Sequence, residues 1–125
     1  MNERILNVRV GKRVEDSLER AAAVMGALER GEDTSPYFAV GFESTGQMLA
    51  VFTPKRWELL ACLRQGGCMT IAELARRLGR NYKNVHGDVV KLTEWLAVEK
   101  DVQGRIFAPY SEIIVDVRLP EAVAA

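Results

Sequence analysis

Seven residues, Arg80, Asn81, Tyr82, Lys83, Asn84, His86 and Gly87, lie within one short polar run and carry chemistry suited to a nucleic acid. An Asn amide can bond adenine through two atoms at once, and a Lys can reach guanine O6/N7 or a phosphate. Tyr82 can bond a phosphate or pack on a thymine methyl. If the run is helical, Val85 and Val89 turn inward and the positions between them turn outward together. The rival reading is a solvated polar helix face. Gly87 has no side chain at a helical position, which costs about 1 kcal/mol against Ala. Close approach of a DNA backbone, or close packing on a neighbouring hairpin, would each explain that cost. His86 is the single histidine, and nothing beside it completes a metal set, so a phosphate or base contact or plain solvation is expected. Asp88 is expected to pair with an arginine such as Arg77 or Arg80.

These residues need a scaffold, and the surrounding pattern supplies one. Thr70 can cap a first helix, on which Ile71, Leu74, Ala75 and Leu78 form an apolar stripe at i, i+3, i+4 and i+7. Gly79 follows where a helix ends best in a left-handed residue. A second helix resumes near Asn81 or Tyr82, with Val85, Val89, Leu92 and Leu96 as its buried face. Two short helices about a tight glycine turn make a helix-turn-helix, which lays its second helix in the major groove. Cations flank it. Arg76 and Arg77 close the first helix, where they either complement its dipole or touch phosphate. Lys55 and Arg56 begin the preceding helix, and Lys91 follows the polar run. Arg105 stands at a hairpin tip from which it can enter the minor groove, although Glu99, Asp101 and Glu112 nearby repel phosphate.

A net charge of zero conceals a strong division along the chain. Residues 1–52 carry six basic and eight acidic side chains, residues 53–91 carry eight and three, and residues 92–125 carry three and six. The segments therefore stand at −2, +5 and −3, and the positive charge coincides with the helix-turn-helix. Phosphate binding depends on such a local face and not on the whole-chain sum.

The 125 residues suffice for one domain with a real core. No long apolar run suggests a membrane span, and the N-terminus alternates without the apolar stretch of a signal peptide. A cytoplasmic location is expected. Cys62 and Cys68 lack metal-binding spacing and read as reduced thiols. There is no phosphate loop, because Gly66 and Gly67 are not followed by Lys-Ser/Thr. One histidine does not assemble a catalytic triad, so neither an enzyme nor a cofactor is expected.

Residues 5–10 (ILNVRV) read as a short strand that is able to pair at an edge. From Lys12 the pattern is helical, with Val14, Leu18, Ala21, Ala22, Met25 and Leu28 on one face and Ala21, Ala22 and Ala23 permitting close approach. Residues 31–36 read as a loop, and residues 37–42 as a second strand pairing with the first. Residues 43–52 read as a short helix or turn, with the LAVF run also compatible with a strand. Thr53-Pro54 starts a helix whose buried face is Trp57, Leu60, Ala61 and Leu63. Trp57 and Trp95 belong to the core or a seam between helices. Residues 98–101 and 106–108 form a hairpin, residues 113–119 (IIVDVRL) a last strand, and residues 120–125 a frayed tail.

The expected architecture is α+β: a winged helix-turn-helix over residues 53–119, a strand-helix-strand extension over residues 1–52 that dimerises or binds a partner, and the tail. FTPKRWELL, LARRLGRNYKNVHGDVVKL and VEKDVQGRIFAPYSEI resemble the small winged-helix transcriptional regulators of bacteria and archaea, which are loosely similar to MarR-type proteins. The resemblance covers about residues 40–119. It implies sequence-specific binding of double-stranded DNA, usually as a homodimer. Some relatives act as antitoxins, so autoregulation beside a toxin partner is a further implication. The alternative is a winged helix that binds a partner protein without reading DNA. The basic segment argues against that, because protein interfaces are depleted in lysine.

Overall fold

The computed structural model describes residues 4–11, 22, 23, 25, 26, 29–31 and 38–119. The expected positions Val14, Leu18, Ala21 and Leu28, the loop over residues 32–36 and the tail over residues 120–125 lie outside the described residues. The fold is α+β. Strand β1 (Ile5–Val10) is followed by β2 (Phe38–Phe42), helices α1 (Thr45–Val51), α2 (Pro54–Gly66), α3 (Ile71–Leu78) and α4 (Tyr82–Glu94), then β3 (Glu99–Lys100), β4 (Ile106–Phe107) and β5 (Glu112–Val117). Ala22, Ala23, Met25, Gly26 and Glu29 are also helical.

Helices α1 to α4 each begin on a side chain that satisfies their first free N–H groups. Ser44 accepts from Gln47 N, Thr53 from Arg56 N, Thr70 from Glu73 N and Asn81 from Lys83 N. Within residues 43–52, Thr45–Val51 therefore resolves as helix: Ser44 caps it, and Gln47 Oε1 accepts from Glu43 N at 2.8 Å, much like a capping box. Gly79 ends α3 in the left-handed region, with Arg80 N–H donating to Ala75 O, as the α3 stripe and its glycine implied.

The N-terminal strand departs from expectation. β1 is not an edge but the centre of a three-stranded sheet ordered β2-β1-β5, parallel to both neighbours. Leu6, Val8 and Val10 are buried and lie opposite Ile113, Val115 and Val117 of β5. Pairing on both sides satisfies a strand whose alternate residues are fully apolar. The sheet thus joins residues 1–52 to the far end of residues 53–119.

Three further readings are corrected. Leu96 is not on the buried face of α4: it is 53% exposed with φ +68°. The helix stops at Glu94, and Ala97 N–H donates back to Leu92 O, a closure that turns the residue before it left-handed and outward. On α2, Leu59 is buried and Ala61 is exposed, so the inward stripe is Leu59, Leu60 and Leu63 beside a half-buried Trp57. Met25, expected on an apolar face, is also exposed.

The core runs from the sheet through α1 and α2 to α4. An aromatic chain crosses it: Trp95 stacks on Phe42 at 4.2 Å, Phe42 meets Phe52 edge-on, and Phe52 stacks on Trp57 at 5.0 Å. Both tryptophans are thus partly buried against the core. β3 and β4 form an antiparallel hairpin, and Met69, just before α3, exchanges two backbone hydrogen bonds with Ile106. Arg4 ties sheet to hairpin. Its guanidinium bonds Glu99 at 3.0 Å and covers the Phe38 and Tyr110 rings. The hydrogen bond that Arg4 donates to Glu99 outweighs burial and raises the Arg4 pKa, while burial is the main force raising that of Tyr110.

Candidate functional site

Helices α3 and α4 are separated by only Gly79, Arg80 and Asn81. Leu74 and Ala75 of α3 pack inside with Val85, Val89 and Leu92 of α4. That seam leaves Tyr82, Lys83, Asn84, His86, Gly87 and Val90 exposed. The outward grouping expected from the inward valines is therefore present. Tyr82 and His86, one turn apart, stack with ring centroids 6.0 Å apart.

Asp88 fixes the geometry beneath this face. Its two oxygens take Arg56 Nε at 3.0 Å and Arg80 Nη2 at 2.8 Å, and all three side chains are only 15–17% exposed. One carboxylate thus locks the start of α2, the turn after α3 and the middle of α4. Arg56 also donates to the carbonyls of Ala50 and Val51, closing the end of α1. Of the two partners expected for Asp88, the structure selects Arg80. Arg77 instead pairs with Glu73 and lies over Gly66, where an added Cβ would come within 2.7 Å of its guanidinium. The role of Arg56 was not legible, because nothing in the sequence links positions 56 and 88.

Beside the Asp88 lock, Arg56, Arg80, Lys83, Asn84, Gly87 and Lys91 line an open groove of about 420 Å³, with Asp88, Val90 and Glu94 completing it. Four cations face two carboxylates there. Lys91 reaches Glu94 at 3.3 Å, and one terminal nitrogen of Arg80 (Nη1) is buried without a hydrogen-bond partner. A Cβ added at Gly87 would meet nothing within 4 Å. Packing on the hairpin therefore does not explain this glycine.

The structure does not gather every candidate at the groove. Asn81 spends its side-chain oxygen on capping α4. Lys55, Arg76, Arg77 and Arg105 lie outside the groove lining. Arg105, at the hairpin tip, is held by Asp101 at 3.3 Å. Burial pushes the Asp101 carboxyl up, but hydrogen bonds from the Arg105 and Gln103 backbones and the Arg105 charge prevail, so its pKa is lowered. Among the described residues there is no group of three or more His, Cys, Asp or Glu able to hold a metal, and no helix is long and apolar enough to cross a membrane. Cys62 and Cys68 are free thiols.

Residues 51–115, more than half of the chain, match the HVO_A0114 family, and the protein belongs to that family. The match runs from the end of α1 into β5 and so contains the Asp88 lock, the α4 face and the hairpin. Neither a curated protein nor a solved structure matches the chain.

Proposed function

We propose that the protein is a transcriptional regulator that binds specific double-stranded DNA, with α3, the turn and α4 as a helix-turn-helix and the β3–β4 hairpin as its wing. In this reading it resembles MarR-type proteins and acts on its own promoter as a repressor or antitoxin. α4 enters the major groove, where Lys83, Asn84, Tyr82 and His86 meet base edges and phosphates. Arg80 and Lys91 hold the backbone alongside, and Arg105 at the wing tip reaches the neighbouring groove.

One observation carries the reading. Gly87 sits within α4 with open space beside it, between the cationic side chains of Lys83 and Lys91. The helix gives up about 1 kcal/mol there without any contact inside the chain that requires it. A bare backbone on a cationic helix face suits the approach of a phosphodiester strand.

Titration of the full chain against duplexes from upstream of its own gene tests this by fluorescence anisotropy. The expected result is tight binding to one sequence and an affinity that falls steeply with salt as counterions are released. Equal, weak binding to every duplex near 150 mM salt, where non-specific Kd values are typically about 10⁻⁴–10⁻⁶ M, overturns sequence-specific readout.

A further inference from the structure

Strand β5 pairs with β1 on one side only, and its outer edge is open among the described residues. Arg118 N–H donates to Val10 O and Gly11 N–H donates to Phe42 O. Period-two alternation then turns the backbone N–H and C=O of Ile113, Val115 and Val117 away from β1. Their side chains share the face of Leu6, Val8 and Val10, yet Val115 and Val117 are each 40% exposed. The strand, EIIVDV, has none of the proline or lysine that commonly guards an open edge.

The geometry points to a second copy of this chain as the occupant: β5 pairs antiparallel with the partner's β5 about a twofold axis at Val115. The strand's own charges favour that register over the two next to it. With Val115 opposite itself, Ile113 faces the partner's Val117 on the apolar side, and Glu112 faces the partner's Arg118 on the other. Glu112 is exposed and has no ion-pair partner among the described residues. Moving the axis to Ile114 sets Glu112 against the partner's Asp116, and moving it to Asp116 sets two aspartates against each other. Both shifts bring like charges together across the strands, which is unfavourable. An axis between residues mixes the apolar and polar faces. At Val115 the outward pairs exchange about six backbone hydrogen bonds, two for each pair. The two sheets become one, and their exposed valines are covered.

The test uses the full chain without DNA, so its outcome is independent of the proposed function. Sedimentation equilibrium at tens of micromolar is expected to give twice the 13.9 kDa chain mass. Val115→Pro removes an N–H that bonds nothing within its own chain, and should give a monomer with an unchanged circular dichroism spectrum. Glu112→Arg should weaken the dimer about tenfold, from two symmetric pairs worth up to about 1 kcal/mol each. Adding Arg118→Glu to it should restore the affinity. In a Cys68→Ser background, Val115→Cys should cross-link on oxidation, because hydrogen-bonded antiparallel partners stand about 5.5 Å apart at Cα. Ile113→Cys, opposite a valine, should not. A monomeric native chain overturns the proposal. So does a dimer that survives Val115→Pro and fails to cross-link through Val115→Cys.

Discussion

Gly87 and Asp88 are adjacent on α4 and have opposite consequences when changed. Gly87→Ala adds a Cβ into open space, so the folded chain should gain about 0.5–1 kcal/mol from helix propensity and a less flexible unfolded state. The same methyl stands where DNA is proposed to lie, so affinity should fall while the melting temperature rises. A calorimetric scan beside a DNA titration checks the pair of effects. Affinity that is unchanged or improved would remove the reason given for the glycine. Asp88→Ala leaves the Arg56 and Arg80 guanidinium groups facing each other without their shared carboxylate. With each group mostly but not wholly buried, the loss should be about 1–3 kcal/mol, readable in urea unfolding. If α4 reads bases as proposed, truncating Lys83 or Asn84 to Ala should cost about 1–3 kcal/mol on the cognate duplex. Asn81→Ala is a poorer probe. Its oxygen caps α4, and losing a cap costs about 1 kcal/mol of stability in itself.

At the scale of elements, legibility followed locality. The α3 stripe, Gly79 and the Thr53-Pro54 start depend on neighbours within a few residues, and each was readable. The cap of α1 was equally local, since Ser44 and Gln47 stand at capping-box spacing, but Gly46 and the LAVF run obscured it. The central place of β1 was not readable, because its second neighbour comes from more than a hundred residues away and a period-two pattern does not say which strand pairs with which. The Asp88 lock was hidden for the same reason on the Arg56 side. The end of α4 was misread because Leu96 continues the apolar period, whereas the backbone had already turned. That leucine holds φ +68°, a conformation costing an L-residue about 1–2 kcal/mol. Leu96→Gly should relieve it, less the extra entropy of an unfolded glycine, for a net gain of about 0.5–1 kcal/mol in denaturant melts. A loss of stability would show that Leu96 packs more than its exposure indicates. The hairpin tip has its own acid limit. Asp101 titrates below its ordinary value of 3.8, so its stabilising bonds are complete above that value and are lost as pH falls through the lowered one. The Gln103 and Arg105 amide signals should therefore hold steady down to about pH 4 and shift only below it.

At the scale of the molecule, the sheet makes the first and last strands one unit, which constrains any dissection. Cutting before Thr53 would remove β1 and β2 and leave β5 with no partner, so lost DNA binding by such a fragment would report misfolding as readily as lost assembly. The Val115→Pro chain avoids that difficulty, because it keeps all three strands paired and opens only the outer edge of β5. One helix in one major groove reads too few base pairs to be selective in a genome. Two copies related by a twofold axis read two half-sites of opposite orientation, which dimeric helix-turn-helix proteins place about 34–36 Å, or one helical turn, apart. Footprinting with the native chain should therefore show two symmetric protected half-sites that fill together. With Val115→Pro the two halves should fill independently, at higher protein concentration, with the same bases contacted in each. Arg76→Ala or Arg77→Ala should instead weaken binding to all duplexes alike and flatten the salt dependence, as expected for phosphate contacts. Joint filling that persists in a chain shown to be monomeric by sedimentation would mean that the DNA, and not the β5 edge, brings the two copies together.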